Sequence, residues 1–284
     1  MIIPEKTLQA QIHELTQSRC SFALYRLPWT DEPILVMQRE GEAETLQQLT
    51  ELNEKEGFVM APFQVTDEHP IVLIRPDIVA HEWTAIGMAL KDLPEFEPAE
   101  ENSQLEPIQT EESLKDLYKA AFNRFISPLK EKKFQKLVLS RHYTTVLKED
   151  FQPLATFIKA CNSYPRMMIS LCHTPQTGAW IGSTPEIILS GQEEQWHTVA
   201  LAGTMPMQGD VMPTEWSSKN KEEQAYVGDY IRKTIKKFGN KLTEKGPYTA
   251  RAGQLVHLKT DFHFSLKDTR HLGDILYELH PTPA

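Results

Sequence analysis

Two side chains suited to acid–base chemistry stand beside apolar segments. Lys136 opens the segment KLVLSR, and Glu186 separates a turn at 182–185 from the apolar run IIL. Desolvation lowers the pKa of a lysine and raises that of a glutamate, which are the changes that a general base and a general acid need. Taken singly, each residue is more commonly a solvent-exposed charge at the end of a strand, so both interpretations stay open.

A turn of small residues and a carboxylate on a helix suggest a charged ligand. Gly203 and Thr204 follow an apolar segment, and small residues let backbone N–H groups approach an anion closely. Glu223 precedes Val227 by four residues, so it lies on the apolar stripe of a predicted helix. Its carboxylate could cap that helix, or it could bind Mg²⁺, which proteins usually hold by one or two carboxylates together with the substrate.

His257 lies in the apolar segment QLVHLKTDF, where a histidine is more often a core residue than a catalytic one. The sequence has no HExxH, no zinc-type spacing of Cys and His, and no GxSxG, Walker A or GxGxxG motif. The three cysteines have no close pairing, which is typical of reduced thiols in the cytoplasm.

The charge distribution excludes several classes of partner. The chain has 39 acidic and 30 basic residues, and seven glutamates with no Lys or Arg fall within 95–112. An acidic chain does not favour nucleic acid or an anionic membrane surface. No apolar stretch approaches the 18 or so residues of a transmembrane helix, so we expect no membrane partner.

The apolar periodicity predicts an α+β protein. Helical spacing predicts helices at 5–18, 112–128, 151–162, 219–238 and 270–278. Apolar runs predict strands at 21–27, 34–38, 57–64, 70–75, 136–143, 166–173, 178–182, 186–190, 195–201 and 254–262. Because strands and helices do not alternate strictly, a doubly wound parallel sheet is not favoured. The Glu- and Pro-rich segment 93–112 is predicted to be an exposed linker.

Six motifs in one order resemble the chorismate-utilising enzymes over roughly residues 112–284. They are KLVLSR, GSTPE, ALAGTMP, WSSKNKEEQ, VHL and LHPTPA. Isochorismate and salicylate synthases resemble this chain in having Lys at the position of Lys136, and aminodeoxychorismate synthases differ in having Lys at the position of Ala202. Gln224 departs from the family, which usually has His after the metal-binding Glu.

The resemblance implies an isochorismate synthase that converts chorismate to isochorismate with Mg²⁺, for menaquinone or, less readily, for a catechol siderophore. In that scheme Lys136 is the general base that activates water and Glu186 the general acid. Glu223 would bind Mg²⁺. The implied substrate-binding residues are Gly203, Thr204, His257 and Thr282. A salicylate synthase is the alternative, and no glutaminase partner is expected.

The family resemblance also implies a fold: two packed β-sheets with helices outside. Residues 1–92 would form an N-terminal part of this layered fold, 93–112 the acidic linker and 113–284 the chorismate-binding catalytic region. Family members continue beyond HPTPA with an Arg and further metal-binding Glu residues. We therefore expect the fold to be incomplete at its C-terminus, and the 284-residue chain by itself to be an inactive chorismate-binding fragment.

Overall fold

The computed structural model describes residues 4, 6–91, 93, 97–98, 110–134, 137–148, 150–207 and 209–281. The helices are Lys6–Leu15 (α1), Glu82–Lys91 (α2), Glu111–Lys130 (α3), Pro153–Ser163 (α4), Ser218–Phe238 (α5) and Leu272–Leu279 (α6). The strands are Ser21–Arg26 (β1), Pro33–Gln38 (β2), Glu44–Leu46 (β3), Phe58–Met60 (β4), Ile71–Ile74 (β5), Ile78–His81 (β6), Met168–Thr174 (β7), Gly178–Thr184 (β8), Ser190–Gln192 (β9), Gln195–Pro206 (β10), Gly239–Ala252 (β11) and Leu255–Leu266 (β12). The chain forms two compact units, one from 1–99 with 152–282 and the other from 100–151 with 283–284.

An antiparallel five-stranded sheet, in the order β6-β2-β1-β7-β8, carries the main core of the first unit. In its centre Leu24 of β1 lies opposite Leu35 of β2 and Leu171 of β7. Helices α1, α2 and α4 cover one face, where Ile12 and Phe157 are fully buried. Each helix shows an apolar stripe at helical spacing, which explains why these faces are buried against the sheet.

A second, three-stranded sheet in the order β3-β5-β4 packs on the other face of the five-stranded sheet. Ile74 of β5 contacts a cluster formed by Ala23, Val36 and Cys172 of the larger sheet. All four residues of β5 are buried, which matches its continuous apolar run IVLI. The two sheets therefore share one apolar interface.

The third sheet, in the order β11-β12-β10-β9, is covered on one face by α5. Val227 and Ile231 of α5 are buried, and Gly228 lies beside the ring of Phe262 in β12. Successive side chains of a strand point to opposite faces, so His257, Lys259 and the other odd-numbered positions of β12 up to 263 face away from α5. This polar face contains the candidate site.

The α+β class predicted from the sequence is confirmed, and all five predicted helices form within a few residues of their expected ends. The predicted strand 186–190 is wrong: residues 185–189 have no regular structure, and β9 begins at Ser190. Strand β11 is missing from the prediction because its sequence, GNKLTEKGPYTARA, shows no apolar alternation. It lies at a sheet edge, where most of its side chains are exposed and need not be apolar.

The second unit contains α3 and a following irregular segment. Thr110 Oγ1 caps α3 by accepting from the Ser113 N–H at 3.2 Å, and α3 itself has no buried side chain. The predicted strand 136–143 does not form in its described part, 137–143. Val138 is 66% and Tyr143 64% exposed. An apolar run becomes a strand only when a neighbour satisfies its backbone, and none of the described strands pairs with this segment. Across the described residues, no helix is long and apolar enough to span a membrane.

Candidate functional site

A β-bulge in β10 forms the centre of the candidate site. Ala202 pairs with Leu258 and Thr204 with His257, so Gly203 is an extra residue in β10. Its φ of +74° is a left-handed value that favours glycine. A Cβ at this position would lie 3.2 Å from the Cβ of Asn220. The small-residue turn predicted after 195–201 is therefore a bulge inside one continuous strand.

His257 on β12 is fixed against this bulge. Its Nδ1 atom lies 3.2 Å from the Gly203 carbonyl oxygen and 3.2 Å from Thr204 Oγ1. A carbonyl oxygen can only accept, so Nδ1 carries the proton and Nε2 is the acceptor of the neutral ring. Burial lowers the pKa of His257, against a smaller opposing effect of the Gly203 carbonyl. The neutral ring thus presents a hydrogen-bond acceptor beside two predicted substrate-binding residues.

The first turns of α5 reach the same bulge from the opposite face. Ser217 Oγ caps the helix by accepting from the Asn220 N–H at 3.2 Å, and Asn220 occupies the space next to Gly203 that a side chain there would need. Gln224 is buried, and its Oε1 accepts from the Ala202 N–H at 3.0 Å. Glu223 is half-buried and lies between Asn220 and Gln224 in this helix. The structure therefore brings Gly203, Thr204 and His257 together and anchors the helix of Glu223 to them.

Glu186 lies in a segment that meets β10 at Thr198 rather than at the bulge. It is exposed, in the irregular segment after β8, and its N–H donates to Thr184 Oγ1 at 3.2 Å. Two residues later the Ile188 carbonyl accepts from Thr198 Oγ1 at 2.5 Å. Thr198 precedes Gly203 by five residues, about 17 Å along an extended strand. Lys136 and Thr282 lie outside the described residues.

Glu223 is also the only predicted metal ligand. Within the described part of the chain, no three His, Cys, Asp or Glu side chains are grouped closely enough to hold a metal ion. A carboxylate oxygen is a ligand type that Mg²⁺ prefers, but one carboxylate makes an incomplete site. The described residues therefore offer the type of ligand atom that Mg²⁺ prefers, but too few ligands to hold the ion by themselves.

A polar network on the same face as His257 was missed by the sequence analysis. The Asp261 carboxylate accepts from Lys259 Nζ at 2.8 Å, from His197 Nε2 at 3.1 Å and from the Tyr248 hydroxyl. Burial alone would raise the pKa of Asp261, but these hydrogen bonds outweigh it and lower the pKa to about 2. The signal was present in the alternation of Lys259, Asp261 and His263, which places three polar side chains on one face of a strand.

A cavity lies at the other end of this sheet. It has a volume of about 400 Å³ and is lined in part by Trp196, His197, Lys241 and His263. The rings of His197 and His263 stack with centroids 4.6 Å apart. None of the predicted site residues that the structure describes lines this cavity, so the cavity and the bulge are separate features of the sheet.

Comparisons with known proteins identify the family. The sequence model of the family described as "Chorismate binding enzyme" matches residues 46–284. A curated relative, the salicylate biosynthesis isochorismate synthase of Pseudomonas aeruginosa, is 25% identical over 175 residues, which are 59% of this chain and 36% of that protein. The chain thus matches about a third of the length of this curated relative.

Two solved structures have the same fold. The menaquinone-specific isochorismate synthase MenF of Escherichia coli superposes with a TM-score of 0.63 at 16% identity, over 99% of this chain and 72% of that chain. The putative 2,3-dihydroxybenzoate-specific isochorismate synthase DhbC of Bacillus anthracis gives a TM-score of 0.66 at 15% identity, over 99% of this chain and 76% of that chain. With most of its residues matched by the family's sequence model, this chain belongs to the chorismate-binding enzyme family.

Proposed function

We propose that this chain binds chorismate at the Gly203 bulge and carries the chemistry of an isochorismate synthase. One observation carries the proposal: in a member of the chorismate-binding family, Gly203, Thr204 and His257 meet at one bulge, joined by two 3.2 Å contacts of His257 Nδ1. The name of the curated relative, an isochorismate synthase, supports the choice of reaction.

The bulge suits a polar, anionic ligand. Chorismate carries two carboxylates and a ring hydroxyl. The exposed hydroxyl of Thr204 can donate to a carboxylate, and the neutral His257 ring offers Nε2 as an acceptor for a substrate hydroxyl. Gly203 adopts the left-handed conformation that forms the bulge, and the bulge holds Thr204 and His257 side by side. These groups would orient the ring rather than transfer the proton of the first step.

The reaction itself needs one base and one acid. In the proposed scheme Lys136 takes a proton from water as the water oxygen bonds to C2 of the ring. The two ring double bonds shift, the bond from C4 to its hydroxyl breaks, and Glu186 gives its proton to the departing oxygen. The carboxyl of Glu186 is exposed in this structure, and its enclosure by bound substrate would favour the protonated form that a general acid needs.

Mg²⁺ is part of the proposal. Glu223 would hold the ion together with a substrate carboxylate and water, and the ion would neutralise part of the substrate's charge. We further propose that the product serves menaquinone or siderophore synthesis in the cytoplasm. The solved structures named for the menaquinone and 2,3-dihydroxybenzoate enzymes share this fold and favour neither pathway.

The test is incubation of the purified chain with chorismate and Mg²⁺, with binding followed by calorimetry and products separated by chromatography. We expect chorismate binding, and isochorismate wherever turnover occurs. The variants Lys136→Ala and Glu186→Gln should lower turnover by about 10²–10⁴-fold with little change in binding. Glu223→Gln should weaken the Mg²⁺ dependence of binding.

Other outcomes separate the alternatives. Salicylate plus pyruvate would identify a salicylate synthase instead. Chorismate binding without turnover would support the binding site and show that this chain alone does not complete the reaction. Absence of chorismate binding at millimolar concentration would refute the proposed function.

A further inference from the structure

We propose that Gln224 is a positioning residue that holds the Gly203 bulge in register with the helix of Glu223. The inference rests on the proposed chorismate site for its functional consequence, although its structural part can be tested without substrate. Gln224 does not face the polar side of the sheet where His257 lies. It acts from the α5 side through the strand that carries the bulge.

The carboxamide of Gln224 is fully engaged with the sheet. The side chain is 3% exposed. Its Oε1 accepts from the Ala202 N–H at 3.0 Å, and its Nε2 donates to the Ala200 carbonyl at 3.1 Å and to Thr260 Oγ1 at 3.1 Å. An amide donor and a carbonyl acceptor two residues apart are the pair that a peptide of a neighbouring strand would satisfy. Gln224 thus supplies backbone-like pairing immediately before the bulge.

These contacts join three elements at one point. Ala200 and Ala202 lie on β10, and Thr260 lies on β12 opposite Ala200. One turn earlier on α5, Asn220 lies close beside Gly203: its Cβ is 3.2 Å from the place that a Cβ on residue 203 would occupy. The bulge is therefore held through Ala202 by Gln224, and Glu223 lies on the same helix between Asn220 and Gln224. A shift of α5 along β10 would break the hydrogen bonds of Gln224.

The pattern of donors and acceptors requires glutamine. Glutamate keeps the acceptor for Ala202 but has no N–H for Ala200 or Thr260, and its carboxylate would face the Ala200 carbonyl. Methionine has the same length and offers neither group. Asparagine has the same chemistry but is shorter by one methylene, so it cannot span the same distance from α5. The three replacements therefore test separate effects: glutamate adds a charge, methionine removes the hydrogen bonds, and asparagine shortens the side chain.

The experiment compares Gln224→Met, Gln224→Asn and Gln224→Glu with the matched control Gln38→Met. Gln38 is also buried, at 2% exposed, and donates to the carbonyls of Glu40, Gly41 and Glu42 far from the bulge. Two quantities are measured: hydrogen exchange of the Ala202 amide under native conditions, and the Kd of chorismate.

We expect Gln224→Met and Gln224→Asn to speed Ala202 exchange and weaken chorismate binding by about tenfold or more, relative to wild type. Gln224→Glu should keep part of the Ala202 protection while binding still weakens. Gln38→Met should lower the unfolding midpoint and leave both Ala202 exchange and the Kd unchanged.

Two results would overturn the inference. One is wild-type Ala202 exchange in folded Gln224→Met or Gln224→Asn. The other is an equal change of exchange and Kd in Gln38→Met, which would show a general effect of stability. If wild-type protein binds no chorismate, the proposed function fails, and Ala202 exchange still decides whether Gln224 holds the bulge.

Discussion

His257 and Gly203 are joined across two strands, with Nδ1 of the imidazole 3.2 Å from the glycine carbonyl oxygen. This contact fixes the tautomer of the ring, because the carbonyl can only accept. It also couples the position of the ring to the backbone of the bulge. The side chain that would recognise a ligand hydroxyl is therefore positioned by the carbonyl of the bulge glycine.

The first prediction separates the two nitrogens of His257. In His257→Asn the amide nitrogen can take the place of Nδ1, while the acceptor at Nε2 is lost. We expect chorismate binding to weaken by about tenfold, the effect of one hydrogen bond, with little change in melting temperature. In His257→Leu both contacts are lost, so stability should fall as well. Unchanged chorismate affinity in both variants would show that His257 takes no part in binding.

The second prediction concerns the bulge glycine. Gly203→Ala should lower the free energy of unfolding by more than the roughly 1–2 kcal/mol that a left-handed conformation costs, because its Cβ also crowds Asn220 at 3.2 Å. Gly209 has a similar φ of +64°, and among the described residues nothing beyond its chain neighbours lies within 4 Å of an added Cβ. Gly209→Ala is therefore the matched control and should show the conformational cost alone. Urea unfolding measures both, and equal losses would contradict the crowding.

The third prediction concerns a buried cation that ties β1 to the end of α4. Arg26 is 1% exposed, and its guanidinium donates to the carbonyls of Leu27 at 3.0 Å, Pro165 at 2.9 Å, Tyr164 at 2.8 Å and Cys161 at 3.4 Å. A cation at the carbonyl end of a helix is favourable, and Arg26→Met would leave these carbonyls unpaired. We expect a loss of about 3 kcal/mol in the free energy of unfolding. The exposed Arg75→Met is the control and should cost much less.

The fourth prediction is a dependence of stability on pH. Burial lowers the pKa of His173 below its ordinary value of 6.5, and its Nε2 donates to the Ser18 carbonyl at 2.8 Å. Its Nδ1 is buried with no partner among the described residues. Near pH 6 the unfolded chain binds more protons at this residue than the folded chain does, so stability falls as pH falls below about 6.5. Burial shifts the pKa of His197 and His257 in the same direction.

Thermal unfolding between pH 5 and pH 8 checks this. The melting temperature should decrease from pH 7 to pH 5. In His173→Gln the amide nitrogen can keep the bond to Ser18 without titrating, so the decrease should be shallower. A slope identical to wild type would remove His173 as a cause.

The elements predicted correctly are those in which the pattern of apolar residues matches the pattern of burial. Strand β5 reads IVLI and is buried on both faces, and α5 repeats Val227, Ile231 and Ile235 at helical spacing. Strand β11 was missed because a long hairpin partner can hold a polar edge strand by backbone bonds alone. The apolar residues of 136–143 predict a strand, which does not form in the described part, 137–143, because pairing depends on a neighbouring strand that a local pattern does not contain.

The candidate site, too, was predicted from the sequence only in part. Gly203, Thr204 and His257 were predicted and meet at the bulge. The contribution of Gln224 was not foreseen, because its partners are backbone groups and residue types alone do not reveal them. The roles of Lys136 and Thr282 stay predictions.

The pairing of β1 with β7 has a consequence for synthesis on the ribosome. Leu24 of β1 has two neighbours, Leu35 beside it in β2 and Leu171 in β7. Leu171 is synthesised about 150 residues after β1, which takes roughly 10–30 s at ordinary translation rates. During that interval the apolar hairpin of β1 and β2 has no β7 to pair with. A nascent chain arrested before β7 should therefore be bound by chaperones and cut readily by protease, and one arrested beyond β8 should resist both.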